Sequence, residues 1–265
     1  MIQQTTDSLK LWQFHNLSQH KGIKHFISGR SGGVSEGEIG SLNLSFRAGD
    51  TRENVQENRS RLAYALGISP EQLFFPAQTH SIHVKKVEPG TQSASLTDTD
   101  ALVTNSPGQC ICVMSADCVP ILLYDPVKEA VGAVHAGWRG TVGKIVTATV
   151  QAMQQEFGTK PADLIAGIGP SICPEVYQIG EEVIEAVLQT FGKEANLISN
   201  QNGEGKGYFN LWEANRIQLL NLGVQPTSIE VAGICTYQQS DQFFSARKSG
   251  NRAGRFAAGI LICPE

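Results

Sequence analysis

The sequence lacks the features that would place it in a membrane or a secretory pathway. No apolar run approaches the 18 or so residues of a membrane span, and the opening MIQQTTDSLKLWQF has neither the basic start nor the apolar stretch of a signal peptide. Charge is also scarce, because 17% of the 265 residues are charged, whereas about 25% is typical. With 41% apolar residues and a net charge of −4, we expect a cytoplasmic globular protein with no membrane or nucleic-acid partner.

Closely spaced cysteine pairs of the Cys-x-x-Cys type are absent, although the chain has six cysteines. Zinc fingers use such pairs, so a structural zinc finger is not expected. Without an export signal, the thiols are expected to stay reduced. Each cysteine is therefore a small buried hydrophobe unless a neighbouring group gives it chemistry.

No linker or repeat divides the chain, so we predict one domain over residues 1–265. Capping residues and closing glycines predict four helices, and the apolar runs between them are typical of strands. Because strands and helices do not alternate regularly, we expect an α/β (α+β) fold, a sandwich of mixed sheets covered by helices. The predicted helices are 51–66, 141–157, 180–191 and 210–222, and the predicted strands are 109–114, 119–124, 130–135, 164–168, 229–234 and 257–263.

Two of these apolar runs flank Asp125-Pro126-Val127-Lys128, which has the composition of a turn. If the hairpin is centred between Pro126 and Val127, Cys118 and His135 face each other across the ladder. A facing cysteine and histidine admit three interpretations. They are a nucleophile and its base, two ligands of a metal, or a packed thiol beside a core histidine.

His80, at the end of Gln78-Thr79-His80, is the third candidate ligand. A thiolate with two imidazoles leaves one position of a tetrahedral zinc open, which is the catalytic arrangement. His83 competes with His80, but three residues further along a strand it would face the other way. The set His80, Cys118 and His135 therefore favours a catalytic zinc site.

Arg59 falls on the buried stripe of the helix from Thr51, between Val55 and Leu62. A charge there must be paired or face a site. It is either in a structural salt bridge or positioned to bind phosphate, which guanidinium holds in a fork. Residues 137–140, which include Arg139, precede a predicted helix start and form a weaker candidate anion site.

These residues lie in motifs that resemble the laccase-like polyphenol oxidase family, also known as the purine nucleoside phosphorylase or peptidoglycan editing factor family. The resemblance runs from about His25 to the C-terminus. The motifs are SGRSGGVS (28–35), SLNLSFRAGD (41–50), ENR (57–59), QTH (78–80), DALVTN (100–105), SADCVPILLYD (115–125), VHAGWRGT (134–141), GIGPSIC (167–173), FNLW (209–212) and AGRFA (253–257).

The resemblance implies zinc ligands at His80, Cys118 and His135 and a functional arginine at Arg59, and these four are the candidate catalytic residues. It also implies phosphorolysis of adenosine, inosine and S-methyl-5′-thioadenosine to the free base and the (methylthio)ribose 1-phosphate, and deamination of adenosine. Phosphate and purine nucleosides are then the expected partners. Asn43, Gln78 and Arg139 are further candidates for binding substrate or phosphate, with structural hydrogen bonds as the default interpretation.

Two other activities use the same residues. Cys118 and His135 could serve a thiol hydrolase or amidase acting on peptidoglycan precursors. A copper-dependent polyphenol oxidase is the second alternative, since a thiolate and two imidazoles also suit copper. Six histidines are, however, too few for the copper centres of a multicopper laccase. A buried arginine beside three soft ligands argues against a binding module without catalysis.

Overall fold

Three sheets and seven α-helices make up the part of the chain that the computed structural model describes, residues 1–6, 8–200 and 205–264. The strands are β1 (Ile2–Thr6), β2 (Leu9–Gln13), β3 (Ile23–Ser28), β4 (Leu73–Phe74), β5 (Val84–Lys86), β6 (Ala101–Thr104), β7 (Cys110–Ser115), β8 (Val119–Asp125), β9 (Ala130–Ala136), β10 (Ile165–Ile168), β11 (Gln178–Ile179), β12 (Ile198–Ser199), β13 (Gly207–Phe209), β14 (Ile229–Val231) and β15 (Phe256–Ile262). The helices are α1 (His15–Ser18), α2 (Arg52–Leu66), α3 (Trp138–Val142), α4 (Ile145–Phe157), α5 (Glu181–Phe191), α6 (Leu211–Leu222) and α7 (Ala246–Ser249).

Both large sheets mix parallel and antiparallel neighbours, as predicted. The first has the order β1-β2-β3-β15-β7-β4 and the second has β14-β10-β8-β9-β6-β5, while β11, β13 and β12 form the small sheet. The pairs β4–β7, β5–β6 and β10–β14 are parallel, and the other pairs in the two large sheets are antiparallel. The α/β sandwich of mixed sheets is therefore confirmed.

The two large sheets pack face to face, and helices cover their outer faces. Val113 and Ile260 of the first sheet share one buried cluster with Leu122 of the second. Leu62 of α2 packs on the outside of the first sheet, whereas Met153 of α4 packs on the outside of the second. Burying each such side chain contributes about 1.5–3 kcal/mol, so the apolar layers hold the sheets that carry the site.

Helix α2 has the predicted ends, and the predicted 141–157 helix does not. Thr51 caps α2 by accepting a hydrogen bond from Asn54 N–H, and left-handed Gly67 ends it. Thr141, in contrast, lies inside α3 and exchanges hydrogen bonds with Asn215. The expected helix is split by left-handed Lys144 (φ 65°), which precedes α4. The cap prediction for Thr141 is therefore wrong.

The predicted strands match the observed ones within two residues, except at 229–234. There β14 ends at Val231, and Gly233 has a φ of +63°. A left-handed residue cannot continue a strand, which explains the shorter element. In the described ranges, no helix combines the length and apolarity needed to cross a membrane.

Candidate metal and catalytic site

The β8–β9 hairpin is confirmed, but its register differs from the prediction. Pro120 pairs with His135, and residues 126–129 form the loop, so the centre lies one residue later than expected. The predicted direct pairing of Cys118 with His135 is therefore wrong. Asp125 explains the shift, since its Oδ1 accepts hydrogen bonds from the N–H groups of residues 127 and 128 and fixes the turn there. Because the centre moves by one residue, the partner of His135 moves by two positions, from residue 118 to residue 120. Residues two positions apart lie on the same face of a strand, so Cys118 remains a diagonal neighbour of His135.

His80 reaches this hairpin from the loop between β4 and β5. Its Nε2 lies 3.8 Å from Cys118 Sγ, and its ring centroid lies 4.9 Å from that of His135. Candidate ligand atoms of all three residues lie within 4.8 Å of one another. His83 is outside this group, because its Nδ1 is 3.0 Å from the carboxylate of Asp98. The structure thus brings together the three residues that the sequence singled out.

Backbone conformation is unusual on both sides of this group. His80 has a φ of +63° and Asp117, next to Cys118, has a φ of +86°, in the left-handed region that side chains rarely adopt. Gly137 faces the ligands so closely that an added Cβ would lie 2.9 Å from His80 Cδ2 and 3.0 Å from Cys118 Sγ. Only glycine fits between the ligands, so the GWRG segment has a steric role at the site.

Asp100 is a functional residue that sequence reasoning did not assign. Its buried carboxylate accepts a hydrogen bond from His135 Nδ1 at 2.8 Å and from the N–H groups of Thr79, His80 and Ser81. Holding Nδ1 in this way fixes the tautomer and turns Nε2 toward the ligand group. The same carboxylate orders the loop that carries His80. Asp100 therefore positions two of the three candidate ligands.

The charges of Cys118 and His135 depend on each other. Burial raises the pKa of Cys118, yet the charge and hydrogen bond of His135 outweigh it and bring that pKa down to about 6. Burial likewise opposes protonation of His135, but the charge of Cys118 and the hydrogen bond to Asp100 raise its pKa to about 9. These shifts favour the thiolate of Cys118 beside a protonated His135, and a metal bound through His135 Nε2 would displace that proton. The thiolate is the form that binds metals and acts as a nucleophile.

The donor set fits a tetrahedral zinc ion. Zinc–sulfur and zinc–nitrogen distances of about 2.3 and 2.0 Å place neighbouring tetrahedral ligands about 3.5 Å apart, close to the 3.8 Å between Cys118 Sγ and His80 Nε2. The Asp100–His135 contact completes the carboxylate–histidine arrangement common at zinc sites. Three protein ligands leave one position for water or substrate.

A cavity of about 640 Å³ opens beside the three ligands. Phe46 and Phe75 line it, together with Arg47, Arg59 and Arg255, and its lining includes no aspartate or glutamate of the described residues. Its volume lies within the range of small-molecule sites, about 300–1,000 Å³. A positively charged cavity in a chain of net charge −4 favours an anionic ligand.

Arg59 lies in this cavity and forms no ion pair with a carboxylate of the described residues. Its Nε and Nη2 donate to Leu44 O at 3.0 and 2.8 Å. Its guanidinium stacks between the rings of Phe46 and Phe75, at 4.5 and 4.2 Å from their centroids. Burial lowers its pKa to about 10, so it keeps its charge at neutral pH. The salt-bridge interpretation is wrong, and the remaining donors of Arg59 are available to the cavity.

Three other predicted binding residues have different positions. Gln78 lines the cavity, but its amide is bonded to both backbone groups of Met114 at 2.8 Å. Asn43 is fully buried and lies outside the lining. Arg139 is exposed, stacks on Trp138 at 4.2 Å and does not line the cavity. The structure therefore does not bring Asn43 or Arg139 to the ligand group.

Asp117, the carboxylate next to Cys118 in sequence, is engaged elsewhere. It accepts hydrogen bonds from Thr236 Oγ1 and from Arg247 N–H, each at 2.6 Å. It is absent from the cavity lining. Its observed contacts join the loop before β8 to the segment that precedes β15, which is a structural role.

Comparison with known proteins places this arrangement in a family. The model described as "Multi-copper polyphenol oxidoreductase laccase" matches residues 24–263. A purine nucleoside phosphorylase of Bacteroides thetaiotaomicron is 43% identical over 270 residues, covering 99% of each chain. A protein named adenosine deaminase RL5, from an unknown prokaryotic organism, is 36% identical over 248 residues and covers 91% of this chain and 94% of its own.

A solved structure shows the same fold. The crystal structure of YlmD from Geobacillus stearothermophilus superposes with a TM-score of 0.91 at 32% identity, covering 99% of this chain and 98% of that one. The similarity therefore extends over the whole sandwich, including the elements that carry the three ligands.

Proposed function

The chain belongs to the family of the multi-copper polyphenol oxidoreductase laccase model, and we propose that it is a zinc-dependent purine nucleoside phosphorylase that also deaminates adenosine. The observation that carries this proposal is the placement of the His80, Cys118 and His135 group at a 640 Å³ cavity lined by arginines and phenylalanines. Aromatic rings suit a purine base and arginines suit phosphate. The names of the relatives point to the same substrates.

In phosphorolysis, a phosphate oxygen forms a bond to C1′ of the ribose while the bond from C1′ to the purine nitrogen breaks. The bonding electron pair leaves with the purine. Arg59 holds the phosphate through the guanidinium edge that Leu44 does not occupy, and the stacked Phe46 and Phe75 keep that edge in place. Fixed donors of this kind stabilise developing charge without reorganising during the reaction. Adenosine, inosine and S-methyl-5′-thioadenosine are the proposed substrates.

In deamination, water adds to C6 of adenosine and ammonia leaves. Zinc bound by this group would act as a Lewis acid and would activate water near neutral pH. His80, Cys118 and His135 would hold the ion, and Asp100 keeps His135 oriented. The oxygen of the added water stays on C6, one of its protons goes to N1 of the purine, and the other leaves with the amino group as ammonia. Among the described residues, no aspartate or glutamate lines the cavity.

Metal analysis of the purified protein, coupled to an adenosine assay with and without phosphate, tests the proposal. One zinc per chain is expected, with adenine and ribose 1-phosphate formed only when phosphate is present and inosine formed in either condition. A protein that binds no zinc and leaves adenosine unchanged would contradict it.

The same preparation tests the thiol hydrolase, which the low pKa of Cys118 favours as a second candidate. A thiol nucleophile loses activity on alkylation and keeps it after chelation. The proposed enzyme loses activity on chelation and recovers it with zinc. Recovery of an oxidase activity with copper, and not with zinc, would instead support a polyphenol oxidase.

A further inference from the structure

Besides Arg59, the cavity is lined by Arg47 and Arg255, and the proposed function uses neither of them. Arg47 donates from Nη1 to Gln78 O at 3.1 Å. Arg255 lies just before β15 and lines the cavity together with Arg59 and Cys118. No ion pair between Arg255 and a carboxylate is found in the described part of the chain. Burial lowers the pKa of Arg255, while the negative groups of Cys118 and Asp117 oppose this effect. A half-buried guanidinium is therefore held next to the ligand group without a salt-bridge partner.

The hydrogen bonds of Arg255 leave one edge of the guanidinium available. Its Nη1 donates to the backbone carbonyls of Ala253 and Gly254. These contacts orient the group and engage one nitrogen. In the described residues, no hydrogen bond involves Nε or Nη2, so these two nitrogens can form the fork that binds two oxygens of a phosphate.

One short segment holds both arginines. Leu44 N–H donates to Arg255 O at 3.0 Å, while Leu44 O accepts from the guanidinium of Arg59. Asn43 Oδ1 accepts from Arg255 N–H at 3.0 Å. The amide nitrogen of Asn43 is anchored in turn to Asp50 and to Ser45 O, each at 3.0 Å. Asn43 and Leu44 therefore fix the two arginines relative to each other.

We propose that Arg255 and Arg59 together bind the inorganic phosphate that attacks the nucleoside, and that Asn43 acts as a positioning residue for Arg255. This proposal rests on the proposed function. Arg255 binds phosphate on the side of Cys118, and Arg59 binds it from the aromatic side of the cavity. Among the described residues no carboxylate lines the cavity, so no acidic side chain of the lining pairs with either guanidinium group. The buried position of Asn43 then has a functional consequence without any contact to substrate.

The test compares Arg255→Gln and Arg255→Lys with wild-type enzyme at verified zinc content. Because Arg255→Gln removes a charged hydrogen-bond donor, we expect its KM for phosphate to rise about 10- to 100-fold. The KM for adenosine should change by less than about threefold, because the nucleoside is not held by this residue. Arg255→Lys should recover part of the phosphate affinity, since it restores the charge without the fork.

Arg252→Gln is the matched control. Arg252 lies three residues earlier, its side chain is 84% exposed and its contact is with Glu38. Its phosphate KM should equal that of wild type. Asn43→Ser should raise the phosphate KM by about tenfold with kcat at saturating phosphate nearly retained, because the arginine is displaced but not removed. A merely structural role of Asn43 would lower kcat and would weaken phosphate and adenosine binding to a similar extent.

A binding readout separates this inference from the proposed function. Inorganic phosphate should raise the Tm of wild type and of Arg252→Gln, and at the same concentration it should raise the Tm of Arg255→Gln much less. A wild-type protein that binds phosphate through Arg255 but does not cleave nucleosides would contradict the proposed function alone. Equal phosphate KM and equal Tm shift in wild type and Arg255→Gln would overturn the role of Arg255.

Discussion

His25 and His135 are both buried, with 2% and 4% of their surface exposed, yet they have opposite charge preferences. Burial lowers the pKa of His25 in β3 to about 4, and its Nε2 accepts a hydrogen bond from Phe14 N–H at 2.8 Å, which requires an unprotonated nitrogen. The pKa of His135 rises to about 9 beside Cys118 and Asp100. Burial alone therefore does not set the charge of a histidine. The hydrogen-bond donor or acceptor beside a buried histidine decides whether that histidine is neutral, with a structural role, or charged, with a role in the chemistry of the site.

Two cysteines repeat this comparison. Cys112 in β7 faces the apolar layer under α2, and burial with the adjacent Cys110 raises its pKa well above the usual value. Cys118, six residues later, meets His80 and His135 and has a pKa of about 6. Burial therefore favours the neutral thiol at Cys112, whereas the neighbouring histidines favour the thiolate at Cys118. The difference lies in the partners that the hairpin and the His80 loop supply.

The largest expected effect comes from removing the reactive cysteine. Cys118→Ser replaces a thiolate ligand with a neutral hydroxyl, so zinc content should fall below one per chain. Phosphorolysis and deamination should both decrease on the order of 10³-fold, the scale of losing a main electrostatic contribution to catalysis. Metal analysis and the adenosine assay measure the two losses on the same preparation.

Cys110→Ala is the control from the apolar region. Cys110 is fully buried, and its truncation should cost about 1 kcal/mol of unfolding free energy while zinc content and activity stay at the wild-type level. Retained zinc in Cys118→Ser, or lost zinc in Cys110→Ala, would remove the distinction between the two regions.

Local sequence signals predicted the ends of α2 and six of the described strands, and they singled out the three residues that the structure brings together. Thr51 and Gly67 delimit α2 because capping depends on a few neighbouring residues. The β8–β9 hairpin follows from turn composition, and its register error arose because a loop of this composition has more than one possible centre. Cys118 and His135 remained neighbours since an error of two residues preserves the face.

Asp100 and Arg255 could not be predicted in their roles, because their contacts are distant in sequence. Asp100 meets His135 only because β6 pairs with β9, placing Ala101 opposite Val134. Arg255 joins Arg59 through Leu44, across about 200 residues of chain. Asp100 ends a polar run, TDTD, but nothing local indicates which histidine it contacts.

The pH dependence of stability tests whether His25, the structural histidine of the comparison, is neutral in the folded protein. The pKa of His25 is about 4 in the folded protein and 6.5 ordinarily, so the unfolded chain binds a proton more readily. The contribution of neutral His25 to the free energy of unfolding is therefore complete above pH 6.5, and it is lost as the pH falls from about 6.5 toward 4. The loss should amount to about 3 kcal/mol of unfolding free energy. Urea unfolding of wild type and His25→Gln at several pH values measures it.

The relevant quantity is the difference between these two proteins, since other groups titrate in both. That difference should be constant above pH 7 and should shift in favour of His25→Gln on acidification. His15→Gln, an exposed site in α1, should follow wild type at every pH. Parallel curves for wild type and His25→Gln would contradict a neutral, buried His25.

The smallest expected effect follows from weakening the acceptor that distinguishes His135 from His25. Asp100→Asn keeps the shape of the side chain but removes its charge. It also places amide hydrogens against N–H donors such as those of Thr79 and Ser81. Zinc affinity should fall about 10- to 100-fold, the usual consequence of losing a carboxylate that orients a ligand histidine. Competition with a chelator measures that affinity, and activity at saturating zinc should recover partly.

Asp98→Asn is the matched control, because Asp98 is exposed and bonds to Thr79 and His83 without touching a ligand histidine. Its zinc affinity should remain close to that of wild type. If Asp100→Asn binds zinc as tightly as wild type, Cys118 alone determines the protonation state of His135. A selective loss at Asp100 would mean that the charge of the site originates outside the three ligands, in the carboxylate that β6 brings to β9.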